Sequence, residues 1–130
     1  MSDLEKLARR YFDALEQRDE KALATLLHPD IVQREFPNRL NPAGGTSDRV
    51  GMLEAFRRGT KVLSGQKYEI KHAVAAGERL ALEVAWTGTL AMAIGTLSPG
   101  DAMRASFAVF LDVRDGLIVG QRNYDCFEPF

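Results

Sequence analysis

A single cysteine, Cys126, and two histidines, His28 and His72, are the only thiol and imidazole ligands this chain offers. One cysteine excludes an internal disulfide and fits a reducing compartment. Two histidines this far apart, with no acidic cluster beside them, argue against zinc, and no metal or other cofactor is expected. No apolar run approaches the roughly 20 residues needed to span a bilayer. The start, MSDLEKLARR, is charged from Asp3 onward, unlike a secretory signal peptide. Lysines and arginines are scattered and the formal net charge is −1, so neither nucleic acid nor an anionic membrane is an expected partner. Gly44–Gly45 lacks the preceding strand, following helix and lysine of a phosphate loop. Ser98 and Ser106 sit in no spaced glycine motif, which removes a hydrolase nucleophile elbow. What remains is a small cytoplasmic domain occupying residues 1–130, of ordinary composition (45% hydrophobic, 27% charged). A chain of this size buries roughly two-thirds of its unfolded surface, enough for one core.

The elements follow from periodicity and punctuation. Ser2 and Glu5 form a capping box, and Leu4, Leu7, Ala8, Tyr11 and Leu15 then recur at helical spacing. A second short helix opens near Asp19, buries Ala22, Leu23, Leu26 and Leu27, and stops at His28–Pro29. Residues 31–36 suit a strand, and residues 37–47 have the Pro, Gly and Asn content of a loop. A third helix is predicted from about Ser47 to Leu63, with Val50, Leu53, Phe56 and Leu63 inward and Gly65 as its stop. Beyond Lys67 the period becomes two. Strands are expected at 68–75 and 79–92, then at 103–113 after a turn at Ser98–Pro99–Gly100–Asp101. Asp115–Gly116 marks a hairpin before a last strand at 117–127. Helices first and antiparallel strands after imply an α+β fold, with helices on one face of a curved sheet.

Such a sheet leaves a cavity at its open end, lined by the inward residues of several strands. On the first strand Ile31, Gln33 and Glu35 share a face; the opposite reading puts Val32, Arg34 and Phe36 inside and leaves Glu35 exposed. Trp86 shares a face with Leu80, Leu82 and Val84. On the last strand Leu117, Val119, Gln121, Asn123, Asp125 and Phe127 share one face, and Ile118, Tyr124 and Cys126 the other. Alternation alone does not choose between these faces. If Asp125 is inward, burial raises its pKa and hydrogen-bond donors lower it, which is how a carboxyl group is tuned for acid–base work. Tyr11 lies on the apolar face of the first helix, where a tyrosine either fills core or presents its hydroxyl at a rim. Arg39 and Arg104 could neutralise an acidic substrate or pair with surface acids such as Glu83. Phe127, Pro129 and Phe130 could close the pocket mouth or pack across a dimer.

The order of these elements, with the segment Tyr11-x-x-Ala14-Leu15-x-x-x-Asp19 and the hairpin Asp115–Gly116–x–Ile118, resembles the nuclear transport factor 2-like superfamily in its SnoaL-like, polyketide-cyclase-like branch. The resemblance covers nearly the whole chain. It implies a cystatin-like fold: a cone-shaped, mostly antiparallel curved sheet packed on three helices, often paired as a homodimer through the outer sheet face. Residues 11–30 look like the matching part of ketosteroid isomerase, placing Tyr11 at its oxyanion tyrosine and Glu35 at its aspartate base. That chemistry also needs an aspartic acid kept protonated by an apolar site. The matching position, counted back from the hairpin, is Ala108, which has no proton to donate. The limonene epoxide hydrolase branch relies on an Arg-x-Asp pair, and this sequence contains none. The polyketide-cyclase branch uses a late aspartate as acid/base; Asp125 looks similar in place, which favours its inward reading.

Three functions follow as expectations. The first is a cofactor-independent isomerase, cyclase or hydrolase-like enzyme acting on a moderately apolar metabolite. Asp125 would be the acid/base and Glu35 the second carboxylate. Tyr11, Gln33, Gln121 and Asn123 would orient the substrate against an apolar wall of Trp86 and Phe127. The second is non-catalytic binding of a metabolite in the same pocket. The third is a protein-interaction module, which predicts an exposed apolar patch that the sequence does not plainly show.

Overall fold

The first helix, α1 (Asp3–Glu16), is capped by Ser2, whose Oγ accepts from the Glu5 N–H at 3.1 Å. The computed structural model describes residues 2–130. Helix α1 buries Leu7, Ala8, Tyr11, Phe12 and Ala14. Arg18 then takes a left-handed conformation (φ 57°) and turns the chain into α2 (Glu20–Leu26). Asp19 caps that helix, accepting from the Ala22 N–H at 3.0 Å.

Strand β1 (Leu27–Glu35) begins earlier than the sequence suggests. Leu27 is already extended, so His28–Pro29 lies inside the strand rather than ending the helix. Pro29 is tolerated because the ladder to the last strand is interrupted between Leu27 and Val32, where no N–H is required of it. The 37–47 segment is not all loop: Gly45–Ser47 forms a short strand, β2, paired antiparallel with β1.

Helix α3 (Arg49–Val62) is capped by Asp48, whose Oδ1 accepts from the Gly51 N–H at 2.9 Å. Leu53, Phe56 and Leu63 pack against the core as expected, and only the first turn departs. Val50 faces out at 63% exposure, and Met52 takes the buried position. Nor does Gly65 stop the helix. The chain leaves α3 at Val62 and enters β3 (Leu63–Ala76) directly, with Gly65 inside the strand.

Three further strands complete the sheet: β4 (Arg79–Leu90), β5 (Ala102–Arg114) and β6 (Leu117–Phe127). Strand β4 ends at Leu90, short of Met92, because Leu90 bonds across to Gly100 and Asp101 and closes the loop there. The β5–β6 turn has positive φ at both Asp115 (55°) and Gly116 (74°), the twist a tight two-residue hairpin requires. Strand order is β2-β1-β6-β5-β4-β3, with β1 and β6 parallel and every other pair antiparallel. The result is an α+β fold in which three helices pack on one face of a curved, open, mixed sheet.

The register of β6 corrects the expected face. Val113 pairs with Ile118, but Asp112 pairs with Gly120, so Val119 is an extra, bulged residue. Before the bulge Ile118 points into the core and is fully buried, while Leu117 and Val119 do not share the inner face. After it the inner face passes to Gln121, Asn123, Asp125 and Phe127, and Tyr124 and Cys126 are exposed.

Strand β3 is an edge, and α1 guards part of it. The Tyr68 N–H donates to Glu16 Oε1 at 2.6 Å, and the Tyr68 carbonyl accepts from Arg9 Nη1 at 3.2 Å. The outer face of the sheet carries an aromatic run that the sequence did not plainly announce. Phe36 stacks on Tyr124 at 4.2 Å, Phe110 meets Tyr124 edge-on at 5.9 Å, and Val32 is exposed nearby on β1.

Candidate functional site

Cross-strand register aligns the inner face into rows. Gln33, Gln121, Leu111 and Leu80 form one; Glu35, Asn123, Val109 and Leu82 form the next. Asp125 follows beside Phe107, Val84 and Ile70, and Phe127 beside Ala105, Trp86 and Tyr68. Polar side chains thus collect on β1 and β6, while apolar and aromatic ones fill β5, β4 and β3. Helices α1 and α3 close over these rows and leave a cavity of about 380 Å³, within the size range of small-molecule sites.

Tyr11, Gln33, Glu35, Trp86, Gln121, Asn123, Asp125 and Phe127 all line this one cavity. The first strand turns Ile31, Gln33 and Glu35 inward and leaves Val32 exposed. Arg39 and Arg104 lie elsewhere. Arg39 donates to the Phe130 carbonyl and sits over the Phe130 ring, 4.8 Å from its centroid. Phe130 in turn packs edge-on behind Phe127 at 6.0 Å, bracing a wall residue from outside. His72 is exposed on β3, and the side chain of His28 faces Asp115 at 3.9 Å.

The cavity's two carboxylates have different surroundings. Glu35 Oε2 accepts from Asn38 Nδ2 at 2.7 Å, while Asn38 Oδ1 accepts from the Leu40 and Asn41 N–H groups at 3.0 Å each. Glu35 is therefore tethered to the turn that follows its own strand. Asp125 has no ion-pair partner among the described residues, and its Oδ1 is buried without a hydrogen bond. Removal from water, reinforced by the negative charge of Glu35, pushes the Asp125 carboxyl up to about 6. A carboxyl group in that range exchanges its proton near neutral pH, which suits a general acid or base.

Tyr11 is 5% exposed, and burial pushes its phenol up to about 12, offset in part by the Gln121 amide and reinforced by Asp125. It therefore remains a protonated donor. Burial likewise raises the Tyr68 phenol. Gln121 is 2% exposed; its Nε2 donates to Asn123 Oδ1 at 2.9 Å, and its Oε1 has no partner.

The adjoining part of the sheet face is aromatic. Trp86 and Phe107 stack at 5.5 Å, and Phe127 meets them edge-on at 6.1 and 6.0 Å. Trp86 Nε1 donates to Gln66 Oε1 at 3.0 Å, which fixes the indole orientation. The indole lies over Gly88, where a Cβ would stand 2.5 Å from two of its ring atoms.

Sequence reasoning missed Tyr68, Phe107, Gln66 and Asn38. The first two were within reach, since they share the alternating face of their strands with Ile70 and Val109. Asn38 carried only the general signal of a turn residue, and Gln66 none. Ala108 lies on the outer face, opposite Glu83 and Tyr124. Its inward neighbours Phe107 and Val109 also lack a side-chain hydrogen-bond donor, so the second oxyanion donor of a ketosteroid isomerase has no counterpart on that strand.

No curated protein matches the sequence significantly. Among solved structures, IdmH of Streptomyces antibioticus, proposed to be a polyketide cyclase, is similar with a TM-score of 0.80 at 21% identity, over 94% of this chain and 91% of that one. AclR of Streptomyces galilaeus, a proposed hydroxylase, also gives 0.80 at 20% identity, over 99% and 82% of the two chains. A proposed ketosteroid isomerase of Kribbella flavida gives 0.67 at 24% identity, over 98% and 82%. At these identities the likeness shows the fold. The SnoaL-like domain family matches residues 8–121, and the chain belongs to that family, within the nuclear transport factor 2-like superfamily.

Proposed function

We propose that this SnoaL-like chain is a cofactor-independent enzyme using carboxylate acid–base chemistry in the α1–sheet cavity on a small, largely apolar substrate. The reaction class is isomerisation, cyclisation or hydration. The observation that carries the reading is Asp125: an unpaired carboxyl oxygen, inside a cavity, with a pKa pushed to about 6. In this reading Asp125 takes a proton from one substrate atom and returns it to another. Glu35, held by Asn38, keeps a negative charge close by and sustains the raised basicity of Asp125. The Tyr11 phenol donates to a substrate oxygen, because its own pKa keeps the proton in place. Gln33, Gln121 and Asn123 orient polar substituents, and Trp86, Phe107 and Phe127 hold the apolar body and exclude water.

The test is a thermal-shift screen of a metabolite library against wild type and Asp125→Asn, followed by turnover assays on the hits. A ligand at a hundredfold excess over its dissociation constant adds about 2.7 kcal/mol of stability. The reading expects hits that are lost or weakened in Asp125→Asn, and turnover that falls by at least a hundredfold in that variant. Turnover of a bound substrate that survives both Asp125→Asn and Glu35→Gln would refute it.

A further inference from the structure

Charge in the cavity is one-sided. Glu35 and Asp125 are its acids, and Arg18 is the one base among the described lining residues. Arg18 is already committed, its guanidinium donating to the Leu63 carbonyl. Neither acid pairs with a cation anywhere in the described structure. A second, independent deficit lies on the same wall: Gln121, 2% exposed and among the lining residues, has a buried Oε1 with no hydrogen-bond partner. Buried acceptors without donors are rare and each carries an unrecovered desolvation penalty, so a ligand that supplies N–H groups gains by filling them. Beside them on the same sheet face are Phe107, the cross-strand neighbour of Asp125, then Phe127 and Trp86, aromatic rings whose faces attract cations as well as apolar carbon.

We propose that the substrate or ligand of this cavity is a cationic amine, its ammonium group held between Asp125 and Glu35 and its apolar body lying on the Trp86–Phe107–Phe127 wall. This rests on the reading of the cavity as a small-molecule site and specifies what enters it. An ammonium beside Asp125 returns that carboxyl to its ionised form, so in the complex Asp125 acts as a base. A neutral ligand would instead bind best to protonated Asp125, and an anionic one would be repelled by both acids. The groups that face Asp125 are Glu35 from β1, Tyr11 from α1 and Tyr68 from β3, with Arg18 on the cavity lining and no charged residue contributed by α3. Burial keeps both tyrosines protonated, which leaves Asp125 as the group whose shift sets the pH dependence.

The chain contains one tryptophan, Trp86, and it lines the cavity, so its fluorescence reports occupancy directly. Three probes of similar size are titrated: 2-phenylethylammonium, 2-phenylethanol and phenylacetate. The ammonium is expected to saturate the signal at pH 8 at least tenfold more tightly than the other two. With Asp125 titrating at about 6, roughly one molecule in ten is ionised at pH 5, so ammonium affinity should fall about tenfold there. Asp125→Asn and Glu35→Gln, each first checked for an intact thermal transition, should weaken it several-fold. Equal or tighter binding of the alcohol or phenylacetate, tighter ammonium binding at pH 5, or no ammonium signal at millimolar concentration overturns the proposal. If the alcohol or phenylacetate binds and Asp125→Asn alters it, only the ammonium assignment falls and the acid–base reading stands. If none of the three binds and the metabolite screen yields no Asp125-sensitive hit, both fall.

Discussion

Replacing Gly88 with alanine adds one methyl group where the structure has no room for it. An ideal Cβ at that position stands 2.5 Å from Cη2 and Cζ2 of Trp86 and 3.0 Å from Cδ2 of Leu63. The indole must swing away, and it cannot do so while Nε1 keeps its 3.0 Å bond to Gln66 Oε1. Three effects compete. Alanine in place of a strand glycine gains roughly 0.5–1 kcal/mol from the unfolded chain's lost freedom. Overpacking a filled site costs about 1–3 kcal/mol. Losing the Trp86–Gln66 bond costs about 1 kcal/mol more. The balance is a destabilisation of about 2 kcal/mol, which in a domain of this size lowers the thermal midpoint by about 5–10 °C. Differential scanning calorimetry gives the midpoint, and the emission of the single tryptophan, 6% exposed in the native chain, should shift to the red as the ring loses its pocket. A Gly88→Ala protein as stable as wild type with an unchanged emission spectrum would show that the indole does not lie where the argument requires.

Three further outcomes are expected. Asp125 has its pKa raised to about 6 in the fold from an ordinary 3.9, so its stabilising contribution is present below about pH 4 and lost as pH rises through 6. Asp125→Asn should therefore be more stable than wild type by about 1–2 kcal/mol at pH 7.5, after discounting for partial exposure, with the gap closing by pH 4; urea denaturation at both pH values decides it, and a gap independent of pH counts against the buried carboxyl. Asn38→Ala removes a 2.7 Å bond to Glu35 and two main-chain bonds within the turn, so the Leu40 and Asn41 amides should exchange at least tenfold faster by hydrogen-exchange NMR, and unchanged rates would mean the turn holds itself. Asp48→Ala deletes the α3 cap and should cost about 1 kcal/mol in the same urea assay, with Asp48→Ser recovering most of it.

How much of this was legible beforehand depends on the range of the interaction that decides it. The helix starts at Ser2 and Asp19 and the Asp115–Gly116 hairpin are local chemistry, and they stand where sequence puts them. The inner face of β1 and the polar end of β6 were readable as one of two alternatives, because period-two alternation gives parity without direction. Direction comes from what packs on the sheet, and Ile31 and Trp86 find the helices. The start of β6 was misread for a different reason. The bulge at Val119 shifts parity by one residue, and its only signal in Leu117–Ile118–Val119–Gly120 is Gly120, since a glycine inside a strand often marks a bulge. On α3 the face of Leu53, Phe56 and Leu63 was legible from its spacing, whereas in the first turn Val50 points to solvent and Met52 is buried, a choice made by the elements packed there. Asn38 and Gln66 contribute through side-chain bonds to partners that only the folded chain brings near.

The parallel pairing of β1 with β6 has a kinetic side. Glu35 and Asp125 stand about 90 positions apart along the chain, yet their acidic wall exists only once Gln33, Arg34 and Glu35 lie beside Gln121, Arg122 and Asn123. Hairpin closure within β3, β4, β5 and β6 is local and fast, whereas joining β1 to β6 closes the longest loop in the molecule and pays its entropy late. The cavity thus depends on the ladder with the largest sequence separation in the sheet. A nascent or partly unfolded molecule can hold its helices and hairpins and still bring no two carboxylates together, so ligand binding is a property of the finished fold alone.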